Sequence, residues 1–105
     1  MKNYRNNTAL HLAALTGHKN VAEFLISKEA NVNSENYVKD TPLHLAAVNG
    51  HKNVAELLIR KGANTGIKNN ANLTPLRVAL NNGHNEVAKL FIGKGKKINI
   101  AEQLE

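Results

Sequence analysis

Short apolar clusters alternate with polar stretches along the chain, and they do so on a fixed period. The cluster Leu10, Leu12, Ala13, Ala14 recurs as Leu43, Leu45, Ala46, Ala47, and more loosely as Leu76, Val78, Ala79, Leu80. Each follows a threonine (Thr8, Thr41 or Thr74), and the offsets are 41 − 8 = 33 and 74 − 41 = 33 residues. Each is followed by a Gly-His pair, beginning at Gly17, Gly50 and Gly83. A second cluster then appears, as Val21, Ala22, Phe24, Leu25, Ile26, as Val54, Ala55, Leu57, Leu58, Ile59, and as Val87, Ala88, Leu90, Phe91, Ile92. Its i, i+3 and i+4 spacing predicts an amphipathic helix from about Asn20, Asn53 and Asn85. The first cluster predicts a shorter helix whose alanines let neighbouring backbones approach. A period in this range marks stacked helical units, none of which buries its apolar face alone.

Start and stop signals agree with that division. Thr8, Thr41 and Thr74 read as N-caps, because a threonine hydroxyl accepts from an orphan helix N–H. Pro42 and Pro75 occupy the first helical position, where a missing N–H costs nothing, and Ala9 replaces them in the first unit. Gly17, Gly50 and Gly83 end the short helices. Lys28, Lys61 and Lys94 fall in the last turn of the longer ones, where a cation suits the helix dipole. Gly62 and Gly95 stop those helices. Glu29 stands there in the first unit, so a weaker stop is expected. Gly93 lies inside the third longer helix and weakens it by roughly 1 kcal/mol relative to Ala. Each connecting turn, Asn3–Asn7, Asn36–Asp40 and Asn69–Leu73, opens with Asn.

The run Thr41-Pro42-Leu43-His44-Leu45-Ala46-Ala47, then Gly50-His51, then Val54 to Ile59, then Lys61-Gly62-Ala63-Asn64, resembles the ankyrin repeat. The resemblance covers windows 3–35, 36–68 and 69–101, with 102–105 as a tail, in one domain spanning 1–105. The first two windows share 20 identities in 33 aligned positions, too many for compositional chance. The resemblance implies an all-α solenoid of three stacked helix-turn-helix repeats with protruding β-turn fingers. It also implies a left-handed residue, commonly Gly, two positions before each Thr. Asn6 and Asn72 substitute well there, while Lys39 is expected to be strained or to shift the second finger. His11 and His44 match the histidine that ties the Thr to the neighbouring turn. Arg77 departs from that pattern, leaving the last turn less tied.

Composition narrows the chemistry. One domain fits 105 residues, and with few aromatics its core must be Leu, Ile, Val and Ala. The absence of cysteine excludes disulfides, thiolate nucleophiles and Cys-based zinc sites. The start is polar, unlike a signal peptide, and no apolar run nears the ~20 residues of a membrane span. A net charge of 14 − 8 = +6 favours acidic partners. Asn-, Lys- and Ile-rich usage fits an AT-rich genome, such as that of an intracellular bacterium, a parasite or a large DNA virus. For an intracellular bacterium the ankyrin resemblance, and not the composition, implies a pathogen or symbiont effector fragment delivered to a host cytosol, beside the plain cytoplasmic reading.

No catalytic, cofactor or metal site is expected. His11 and His18, like His44 and His51, are seven apart, but Gly17 and Gly50 break the helix between them, so no pair shares a helical face. Glu23 and Glu56 read as solvated partners of Lys19, Lys28, Lys52 and Lys61. No Gly-x-Ser-x-Gly is present. Gly93-Lys94-Gly95-Lys96-Lys97 lacks the phosphate-loop pattern and reads as a helix end with a basic connector.

The resemblance implies a function as a non-catalytic protein-interaction module that uses its concave finger and first-helix surface. Matched by position, the finger residues are Tyr4, Arg5 and Asn7; Tyr37, Val38 and Asp40; Asn70, Ala71 and Leu73. The helix residues are Leu15 and Thr16, Val48 and Asn49, Asn81 and Asn82. The only tyrosines, Tyr4 and Tyr37, fall at equivalent tips beside Arg5 and Val38, in the manner of a binding hot spot. The competing reading lays each Tyr flat on its neighbouring repeat. Two other functions stay open: a basic binder of nucleic acid or an anionic surface, the less favoured, and an architectural segment of a longer array. Repeat three is edited toward polarity by Arg77, Asn81, Asn82, Asn85 and Lys89. Repeat one keeps an internal-type sequence, so its outer face is expected to be apolar and open to self-association.

Overall fold

A computed structural model describes residues 5 to 92, which form six helices and no strand. They are α1 (Ala9–Thr16), α2 (Lys19–Ser27), α3 (Pro42–Asn49), α4 (Lys52–Arg60), α5 (Pro75–Asn81) and α6 (Asn85–Leu90). The expectations placed on Tyr4, Gly93, Lys94, Gly95, Lys96, Lys97 and the 102–105 tail lie outside the described residues. Thr8, Thr41 and Thr74 are extended and accept the backbone N–H of His11, His44 and Arg77 at 3.2, 3.3 and 3.2 Å. Gly17 and Gly50 then leave the helix with φ of 78° and 71°, a left-handed step that Gly takes without a Cβ penalty. α2 and α4 begin one residue earlier than their apolar pattern predicts, at Lys19 and Lys52.

The helices stack in two layers. α1, α3 and α5 lie side by side, and α2, α4 and α6 form the second layer behind them. Ala13, Ala14, Ala46 and Ala47 are buried, which lets the first layer pack closely. Leu10, Leu43, Val54, Leu57, Leu58 and Val87 belong to one continuous core and are essentially inaccessible. The result is an all-α ankyrin-type solenoid.

Three details differ from expectation. Lys39 does not shift its finger: at φ 63° it superposes in conformation on Asn6 (64°) and Asn72 (65°), so the turn carries the strain in place. Glu29 likewise takes φ 71°, and the α2 stop forms as fully as that of α4. Ala30 N–H reaches Leu25 O at 3.0 Å, as Ala63 N–H reaches Leu58 O at 2.9 Å. The solvated pairs expected at Glu23 and Glu56 are not the ion pairs seen. Those seen run from Lys52 to Glu86, 3.9 Å across neighbouring repeats, and from Lys89 to Glu86 at 3.3 Å. Both are solvent-exposed and worth little.

Candidate functional site

The connecting turns are built on asparagine. Asn36 Oδ1 accepts from Val38 N–H (3.0 Å) and Asp40 N–H (2.9 Å), while Asn36 N–H donates to Asp40 O. Asn69 repeats this with Ala71 N–H (2.9 Å), Leu73 N–H (3.1 Å) and Leu73 O. Each side-chain amide then reaches the preceding turn. Asn36 Nδ2 donates to Asn7 Oδ1 and Asn69 Nδ2 to Asp40 Oδ1, both at 2.8 Å. Backbone bonds run alongside, from Tyr37 N–H to Arg5 O (3.0 Å) and from Asn70 N–H to Val38 O (2.8 Å). The Asn that opens each turn is visible in the sequence, but its linking role needs residues 29 positions apart to be brought together.

This ladder sorts the candidate residues. Asn7 is buried, and Asp40 and Leu73 are half-buried. All three are equivalent positions, and they brace the finger base instead of presenting a tip. Arg5, Tyr37, Val38, Asn70 and Ala71 are exposed, and Tyr37 is 70% accessible, so it does not lie flat on its neighbour. On the first helices, Thr16, Asn49, Asn81 and Asn82 are exposed, while Leu15 and Val48 are half-buried at the core edge. Thr16 Oγ1 donates to Leu12 O (2.8 Å) and Asn49 Nδ2 to Leu15 O (2.7 Å). Asn82 Nδ2 donates to Val78 O (2.8 Å), and Asn81 Oδ1 accepts from Arg77 Nε (3.3 Å). These side chains are held on an ordered surface. Tyr4 lies outside the described residues.

The histidines below the fingers are fully engaged. His44 Nδ1 accepts from Thr41 N–H (3.0 Å) and lies 2.9 Å from Thr41 Oγ1; its Nε2 donates to Leu73 O at 2.8 Å. His11 makes the same set with Thr8 and Asp40 O. Accepting at Nδ1 and donating at Nε2 selects one neutral tautomer. Burial holds both imidazoles below the usual histidine pKa, against the opposing pull of the carbonyls and Asp40. At the third such position Arg77 N–H keeps the bond to Thr74 Oγ1, and Arg77 Nε donates to Asn81 Oδ1. The His-to-carbonyl bonds thus fasten α1 to the second finger and α3 to the third, and those two fingers are positioned by the stack itself.

Among the described residues, no helix is long and apolar enough to cross a membrane, and no three His, Asp or Glu side chains converge to hold a metal. An ankyrin-repeat family model matches residues 5–37, and a model of three consecutive ankyrin repeats matches residues 34–102. No curated protein matches the chain. Repeats of this kind are generally protein–protein interaction modules and typically non-catalytic. With 33-residue spacing, paired helices, Thr–His ties and both family matches in agreement, the chain belongs to the ankyrin repeat family.

Proposed function

We propose that the chain binds a partner protein through the side formed by its finger tips and first helices. Tyr37 carries the reading. Its ring is largely exposed, yet its backbone is fixed to Arg5 O. An exposed aromatic on an ordered backbone loses little entropy when it docks. Val38, Arg5, Asn70 and Ala71 flank it, with Thr16, Asn49, Asn81 and Asn82 on the helices below. Asn7, Asp40 and Leu73 support these tips from beneath. The charge of +6 favours a partner with an acidic face. The family resemblance alone supports a cytoplasmic setting, the chain's own or a host's.

The test is affinity capture from lysate at low and high salt. It compares the wild type with Tyr37→Ala, alone and combined with Tyr4→Ala. A protein retained by the wild type at high salt and lost with the variants, at unchanged helicity, supports the reading. Ligands lost equally from all proteins as salt rises point instead to a basic-surface binder of nucleic acid and overturn it.

A further inference from the structure

The first repeat exposes three large apolar side chains: Leu12 at 39%, Val21 at 50% and Phe24 at 60% accessibility. Their equivalents one repeat on, Leu45, Val54 and Leu57, are at 8%, 1% and 0%. Two repeats on, Val78 and Val87 are at 4% and 0%, and Leu90 is half-buried. Repeat three is covered at these positions by repeat two, whereas repeat one is uncovered although repeat two is stacked on it. These positions therefore face the preceding helix pair. The chain itself shows three times what chemistry sits here and twice what covers it.

A second contact has the same direction. His51 Nε2 donates to Leu15 O at 3.0 Å, and its ring lies so close over Gly17 that a Cβ there would fall 2.5 Å from Nδ1. His84 repeats this with Val48 O at 3.1 Å and with Gly50, again at 2.5 Å. Residues 15 and 48 correspond to Asn81, and Gly17 and Gly50 correspond to Gly83. Among the described residues nothing lies within 4 Å of where a Cβ on Gly83 would be. His18, the equivalent of His51 and His84, is exposed on the first repeat and lies 2.6 Å from Thr16 Oγ1. One end of the described stack thus holds the imidazole and apolar half of the internal contact. The other end holds the glycine and carbonyl half, together with half-exposed Leu80 and Ile92.

We propose that a second copy of this chain docks head to tail on the α1–α2 face. The α5–α6 end of one copy covers Leu12, Val21 and Phe24 of the next. His18 swings over Gly83 of that copy and donates to the Asn81 carbonyl. The interface continues the one already built twice within the chain. It is heterologous, so it leaves a free head and a free tail and grows beyond a pair. The surface is separate from the Tyr37 tips, and its fate does not depend on theirs.

Sedimentation velocity and light scattering over a concentration series test this on the whole chain, with Phe24→Lys or Val21→Lys blocking the head and Leu80→Glu blocking the tail. All three sites are exposed or half-exposed, and circular dichroism checks that each variant folds. The wild type should gain mass with concentration past two chains. Each variant alone should stay at 11.5 kDa. Mixing a head variant with the tail variant should restore a one-to-one pair and nothing larger. A wild type that stays monomeric overturns the proposal. So does a pair that head variants abolish, the tail variant leaves intact and mixing fails to restore, which is the signature of head-to-head pairing.

Discussion

His44→Ala removes a side chain that is wholly buried and bonded at both ends. The loss strands Thr41 N–H, at the start of α3, and weakens the hold on Leu73 O, at the base of the next finger. A buried donor or acceptor left without its partner costs about 1–3 kcal/mol. Two such groups give roughly 2–6 kcal/mol, and water entering the vacated space favours the lower half, so the expected loss is about 3 kcal/mol. That is a large share of the ~5–15 kcal/mol available to a domain of this kind. Urea unfolding followed by circular dichroism reads it directly. With a slope of about 1.5 kcal/mol/M, the midpoint should fall by about 2 M. Glu56→Ala, on the exposed face of α4, should stay within about 0.5 kcal/mol of the wild type. A His44→Ala midpoint within about 0.5 M of the wild type, at the same slope, would refute the claim that this imidazole fastens one repeat to the next.

Three further outcomes follow from the same geometry. His11 and His44 have folded pKa values lowered by burial, so their contribution is fully present above the unfolded value of about 6.5 and is lost as pH falls below it. With two protons at stake, stability should drop by up to about 2.7 kcal/mol per pH unit in that window, and His44→Ala should roughly halve the slope in urea titrations at stepped pH. Gly50→Ala and Gly83→Ala share the left-handed strain, about 1–2 kcal/mol, but only Gly50→Ala drives a Cβ into His84. It should therefore unfold about 1 kcal/mol more readily than Gly83→Ala in parallel thermal melts. Lys39→Gly relieves the strain at φ 63°, less the entropy that Gly loses on folding, and should gain about 0.5 kcal/mol; a lower melting temperature would count against strain at that turn.

The architecture was legible in the chain because it is written three times. A threonine, a short apolar cluster holding alanine, a glycine and a longer apolar helix, recurring every 33 residues, leave little choice of element or order. Local chemistry also marked the caps and the glycines that end the short helices, since those depend on neighbours a few residues away, while the left-handed turn residues Asn6, Lys39 and Asn72 were implied by the family resemblance. Repetition, however, says which positions are equivalent and not which are exposed. Asn7, Asp40 and Leu73 read as tips but brace the finger base, because bonds from Asn36, Asn69 and His44 arrive from 29 residues away. Tyr37 stands in solvent because its backbone, not its ring, makes the contact with the neighbouring finger. Leu12, Val21 and Phe24 look like core residues in sequence and become surface only because nothing among the described residues stacks on their side. Local bonding rules set the elements, since they act within one repeat. Burial is set by the neighbour each repeat receives, and that is decided only when the repeats are placed against one another.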